Sequence, residues 1–132
     1  MIVIDTSAWI EFLRGTDSHV CDAVDRLVSD DIAICDAISM EVLAGARSER
    51  HLRQLRGLLA RATTLPTSPA DYELAAALYR SCRTGGETVR RTIGCLIGAV
   101  VITSGAELLH ADADFATLAR HSDLRIHPDS LR

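Results

Sequence analysis

Ile2-Val3-Ile4-Asp5-Thr6-Ser7-Ala8-Trp9-Ile10 is the stretch on which the reading of this chain turns. Three apolar residues, two of them isoleucine, suit a short buried strand, and an aspartate followed by Thr-Ser-Ala suits the cap of a helix. Asp5 therefore sits where a strand hands over to a helix. The same arrangement returns near the other end of the sequence. Leu108-Leu109-His110 is strand-like, and Ala111-Asp112-Ala113-Asp114-Phe115 opens another helix. Two strand ends thus carry carboxylates. In open parallel α/β sheets the carboxyl ends of the strands form the crevice in which ligands bind. Clustered carboxylates are hard oxygen ligands suited to Mg²⁺ or Mn²⁺. The pattern outlines a metal-dependent phosphodiester site.

Between these two segments the chain alternates strands with helices. The first helix is expected to run to Arg14 and stop at Gly15, and a second spans Ser18 to Leu27, with Val20, Ala23, Val24 and Leu27 on one face. Ile32-Ala33-Ile34-Cys35 reads as a buried strand. Asp36 can cap a helix over 37–46, in which Glu41 looks toward the same edge as Asp5. Residues 47–61 are strongly amphipathic: Leu52, Leu55, Leu58 and Leu59 oppose Arg50, Arg53, Gln54 and Arg56. Thr63-Thr64-Leu65 is a third strand candidate. Ser68-Pro69 then supplies a cap and a first-turn proline for a long helix to about Arg83. After Gly85-Gly86 a further helix is expected from Thr88 to near Ser104-Gly105, then a strand over Glu107 to His110, a short helix from Phe115 to Arg120, and an edge strand at Leu124-Arg125-Ile126. Such alternation argues for an α/β fold with a parallel central sheet covered on both faces. No internal repeat, linker or low-complexity segment divides it, so residues 1–132 are expected to form a single domain.

Composition narrows the function classes. The 132 residues are 48% apolar, enough for a proper core. The formal charge of −4 argues against a generally basic coat, although net charge hides its distribution. All 14 basic residues are arginine, and the chain has neither lysine nor asparagine. A GC-rich genome is the bland explanation, but the absence has a use. Haloacid-dehalogenase-like phosphatases, response-regulator receivers and P-loop proteins all depend on a lysine, so all three lose a key group here. Cys21, Cys35, Cys82 and Cys95 are widely spaced, which suits reduced core thiols better than a zinc site or redox pair. No basic segment leading into a long apolar stretch marks a signal peptide. The apolar-rich run from Ile93 to Ile102 falls short of the roughly 20 residues that span a bilayer. A cytoplasmic protein with no membrane partner is expected.

The opening Asp5-Thr6-Ser7-Ala8-Trp9 resembles that of PIN-domain nucleases, specifically the VapC-type toxins of bacterial toxin–antitoxin pairs. Ser39-Met40-Glu41-Val42-Leu43-Ala44-Gly45 is similar to that family's helix bearing its second acid, and His110-Ala111-Asp112-Ala113-Asp114-Phe115 to its last motif. The resemblance covers essentially the whole chain. It implies a three-layer α/β/α PIN-like domain with a short, mostly parallel sheet, acting as an endoribonuclease on structured RNA such as tRNA or rRNA. It further implies dependence on Mg²⁺ or Mn²⁺, a homodimer, and inhibition by a cognate antitoxin protein. The apolar side chains of the first helix, Trp9, Ile10 and Phe12, are compatible with an antitoxin groove and equally with the core.

In the scheme the resemblance implies, Asp5 holds the principal metal together with a third family acid, Asp112 and Asp114 complete the shell or a second site, and Glu41 binds metal through water or orients the attacking water. The third acid belongs to a segment of the form Asp-x-Leu-Ile-Ala-Ala. Here the matching residues are Gly94-Cys95-Leu96-Ile97-Gly98-Ala99, so Gly94 stands where the aspartate is expected. A glycine inside a helix costs roughly 0.5–1 kcal/mol relative to alanine, so propensity does not explain it. Either a ligand was lost in the gene or an attenuating substitution disarmed a toxic enzyme, the second being preferred. In both cases low turnover is expected, and a catalytically inactive, antitoxin-binding role is the alternative. Arg90 and Arg91, about one turn before position 94, are candidates to contact RNA phosphates. Ser7 could bond a metal ligand or a phosphate, and equally could cap the first helix. By itself an aspartate at a strand–helix junction is more often a cap than a ligand, and a lone helical glutamate is most often solvated. His110 is expected to be packed rather than catalytic.

Overall fold

The computed structural model describes residues 1–131. It builds four parallel strands and seven helices among those residues into a three-layer α/β/α arrangement. β1 (Ile2–Ile4) feeds α1 (Thr6–Arg14), and α2 (His19–Leu27) leads to β2 (Ile32–Cys35). Next come α3 (Asp36–Ala44), α4 (Glu49–Leu59), β3 (Thr63–Leu65), α5 (Pro69–Thr84), α6 (Thr92–Ser104), β4 (Glu107–Leu109) and α7 (Ala113–Arg120). The sheet order is β3-β2-β1-β4. In register, Ile2 faces both Ile32 and Glu107, and Ile4 faces Leu109. The first strand and the last thus lie side by side in the sheet, and their carboxyl ends deliver Asp5 and the segment 110–114 to one edge.

Local chemistry explains most boundaries. Asp5, Ser18, Ser48 and Asp112 each cap a helix through a side-chain oxygen. Gly15 and Gly105 end α1 and α6 in the left-handed region, at φ of 59° and 67°, where a side chain would be strained. β2 is buried along its whole length, whereas β3 at the sheet edge is largely exposed. Trp9 is fully buried among the core residues, and the exposed apolar side chains of α1 are Ile10 and Leu13. Of the two readings of Trp9, docking groove and core, the structure gives the core: α1 packs against α2 and α3, and the Trp9 ring meets Phe12 edge-on at 6.4 Å between centroids.

Two further expectations shift. The helix expected from Thr88 starts only at Thr92, because the preceding residues are drawn out toward α7, where the Arg90 backbone N–H donates to Asp114 Oδ2 at 3.2 Å. Leu124–Ile126 is not a strand but touches the sheet through a single bridge between Leu108 and Ile126. No helix among the described residues is long and apolar enough to cross a membrane.

Candidate active site

A cleft of about 220 Å³ opens at the carboxyl edge of the sheet. Asp5, Glu41, Asp112 and Asp114 all line it, together with Ser7, Arg91 and Gly94. Residues 109 positions apart along the chain (5 and 114) are brought together because β1 and β4 are paired.

Asp5 is 3% exposed. Its Oδ2 accepts from the Ser7 N–H at 2.9 Å and from the Ser7 hydroxyl at 2.6 Å, whereas its buried Oδ1 has no hydrogen-bond partner. Burial pushes its pKa up to about 6; the Ser7 bonds oppose that rise, and the Glu41 and Asp112 charges add to it. Asp5 thus caps α1 with one oxygen and leaves the other unsatisfied. The Ser7 hydroxyl also accepts from the Ala111 N–H at 2.9 Å, so it ties the loop after β1 to the loop after β4.

Glu41 on α3 accepts from the Thr6 hydroxyl at 2.8 Å and from Arg91 Nη1 at 3.2 Å. Asp112 Oδ1 caps α7 through the Asp114 N–H at 3.0 Å and accepts from Arg90 Nη2 at 2.7 Å. Asp114 accepts from Arg90 Nε at 3.3 Å. Asp112, then Asp114, push the Arg90 guanidinium above its ordinary pKa. Both arginines have mostly exposed side chains, 70% and 63%, and lie over the carboxylates from the solvent side. The turn that carries them is held by Glu87, which accepts from Arg120 and is bonded to His121 Nε2, each at 2.6 Å. The His121 ring lies so close to Gly85 that a Cβ there would overlap it.

Gly94 faces the cleft from α6. A Cβ built on it meets only Phe115 Cζ, at 3.9 Å, an ordinary contact. Packing around a Cβ therefore does not require glycine at this position, which opens on the cleft. His110 is fully buried, tilted against Phe115 with ring centroids 5.3 Å apart. Its Nδ1 accepts from the Asp112 N–H at 3.1 Å, and burial lowers its pKa to about 4. It is a neutral packed residue that orients the Asp112 loop.

The donor set suits a hard divalent ion: carboxylate oxygens from several elements, one of them buried and unpartnered. It is not closed into a shell, since among the described residues no three His, Cys, Asp or Glu side chains converge closely enough to hold an ion. Gly94 adds no donor on its side of the cleft, and Arg90 and Arg91 bond to the carboxylates. Thr6, which fixes Glu41, was missed in the sequence: a threonine in a helix's first turn shows nothing of a partner 35 residues away.

Residues 2–121 match the model of the PIN domain family. The chain is 43% identical over 129 residues to "Ribonuclease VapC11" of Mycobacterium tuberculosis, covering 95% of this chain and 96% of the relative. Among solved structures it resembles VapBC-1 from nontypeable Haemophilus influenzae, with a TM-score of 0.77 at 18% identity and 98% of each chain covered. It also resembles a toxin–antitoxin complex from Klebsiella pneumoniae, with a TM-score of 0.73 at 21% identity, covering 88% of this chain and 91% of that one.

Proposed function

This chain belongs to the PIN domain family, and from that premise we propose that it is the ribonuclease toxin of a toxin–antitoxin pair, its catalytic power reduced by Gly94. The observation that carries the reading is the meeting of Asp5, Glu41, Asp112 and Asp114 in one cleft. Residues 1–132 act as one nuclease domain in the cytoplasm, on structured RNA such as tRNA or rRNA, and pair as a homodimer. The antitoxin is the second partner. The 43% identity to a protein named a ribonuclease supports the activity, and the likeness to a toxin–antitoxin complex is in keeping with the partner.

Asp5, Asp112 and Asp114 would hold Mg²⁺ or Mn²⁺, with Glu41 at the rim. Such an ion supplies the activation of water and offsets charge on the scissile phosphate. The protein's own contribution is positional. Ser7 directs one oxygen of Asp5 into the helix cap and leaves the other free. Thr6 fixes one oxygen of Glu41, leaving the other to Arg91 or to a water. Arg90 and Arg91 are placed to trade their carboxylate partners for phosphate oxygens when RNA enters. At pH 7 Asp5, with a pKa of about 6, is largely ionised despite its burial.

Removing one anionic ligand weakens this site, and the two arginines compensate its negative charge. That combination favours a second reading, an inactive PIN domain whose remaining role is to bind antitoxin. The deciding experiment compares cleavage of total cellular RNA by the parent and by Gly94→Asp, with Mg²⁺, with Mn²⁺ and with a chelator. Metal-dependent cleavage by the variant, with little or none by the parent, is expected. If neither chain cuts and both bind antitoxin, the nuclease reading of this chain is wrong and the second one stands.

A further inference from the structure

A second groove, of about 310 Å³, adjoins the acidic cleft and shares Ile10 and Glu41 with it. Leu13 and Arg14 of α1 form one wall, and Arg47 and His51 belong to the other. The Arg47 N–H donates to His51 Nδ1 at 3.1 Å, which fixes the start of that wall. From Arg47 the arginines continue at intervals of three: Arg50, Arg53 and Arg56. That spacing makes successive side chains neighbours on a helix surface, so the row climbs from the groove across the solvent face of α4. All four are exposed. Among the described residues none of them forms an ion pair, whereas Arg26, Arg90, Arg91 and Arg120 all do. In a chain of net charge −4, this is a local reversal of sign beside a cleft read as acting on phosphodiesters.

We propose that this groove and the arginine row beyond it form a track for the RNA backbone, with Arg14, Arg47, Arg50 and Arg53 receiving the phosphates of the strand that leaves the cleft. The inference rests on the ribonuclease reading and adds to it the path of the substrate. A polyanion with regularly repeated charges matches regularly repeated, unpaired arginines. Contiguity with the cleft favours RNA over an acidic protein segment, since one strand can occupy both places. With only five aromatic residues in the chain (one Trp, two Tyr, two Phe), recognition rests on phosphates rather than on base stacking.

The test is fluorescence anisotropy of a labelled oligouridylate, in chelator so that nothing is cut, across a range of salt concentrations. The parent is compared with Arg50→Gln/Arg53→Gln and with a charge-matched control, Arg26→Gln/Arg80→Gln, far-UV circular dichroism verifying that all three are folded. Each lost phosphate contact lowers the slope of log K against log salt by about 0.7 for a single strand. The α4 variant is therefore expected to lose about 1.4 of slope and on the order of tenfold in affinity at moderate salt, with the control unchanged. An unchanged slope in the α4 variant overturns the track, as does an equal loss in both variants, which reports net charge alone. Loss of antitoxin binding with RNA binding intact reassigns the row to the protein partner. If the parent binds no oligouridylate while Gly94→Asp still cleaves cellular RNA with Mg²⁺, the track fails and the ribonuclease reading stands; if there is neither binding nor cleavage, both fail.

Discussion

Asp5 and Asp71 are equally hidden, each 3% exposed, yet the fold treats them differently. Asp71, in the first turn of α5, has both oxygens engaged: Oδ2 accepts from the Ser68 N–H at 2.9 Å and Oδ1 from the Thr103 hydroxyl of α6 at 2.9 Å. It closes a helix start and bolts α5 to α6. Asp5 has one oxygen engaged and one buried without a partner. Equal burial thus covers two different states: the chain around Asp71 satisfies it, and the chain around Asp5 does not.

The largest effect should come from the satisfied member. Asp71→Ala removes two hydrogen bonds to a charged group and orphans the Ser68 N–H, so a loss of about 3–4 kcal/mol is expected in urea unfolding. Asp5→Asn should act in the opposite direction. The folded pKa of Asp5 is raised from an ordinary 3.8 to about 6, so its favourable contribution is full below pH 3.8 and lost as pH rises through 6. At pH 7 the asparagine variant should exceed the parent by up to about 3 kcal/mol, with the gain gone below pH 4. A variant less stable than the parent at pH 7 breaks the comparison.

His110 sharpens it. Its folded pKa is lowered from 6.5 to about 4, so its contribution is present above 6.5 and lost as pH falls through 4. In the parent the two groups oppose each other between pH 4 and 6. Asp5→Asn should therefore expose a fall of about 3 kcal/mol on acidification that the parent conceals. Ser7→Ala, which strips Asp5 Oδ2 of its hydroxyl donor and the Ala111 N–H of its acceptor, should cost about 1–2 kcal/mol in the same assay at pH 7. Thr103→Val, which leaves Asp71 its Ser68 bond, should cost about 1 kcal/mol.

The placement of Asp5 and Asp112 was legible in the sequence because strand ends and helix caps are local: Asp5 follows directly on its apolar run, and Asp112 comes three residues after Leu109. Gly94 was legible by its position in a motif. What could not be read were pairings set by tertiary structure. Arg90 and Arg91 were expected to face RNA, but nothing near them in sequence shows Asp112, Asp114 or Glu41 within reach. The same partnership draws residues 88–91 out of the helix expected there. Thr6–Glu41 and Asp71–Thr103 join residues more than 30 apart, and no periodicity reports such a bond. Trp9 was ambiguous because an apolar residue on a short amphipathic helix suits a core and an interface alike.

The sheet order has a consequence for the timing of synthesis. Until residues 107–109 are made, β1 has β2 as its neighbour on one side and nothing on the other, and the Ser7 hydroxyl lacks the Ala111 N–H that ties the two loops together. The acidic cleft therefore cannot exist until residues 107–114 have been made. Fragments that stop short of residue 107 carry Asp5 and Glu41 without the opposing Asp112 and Asp114, so half of the cleft's carboxylates are missing from them.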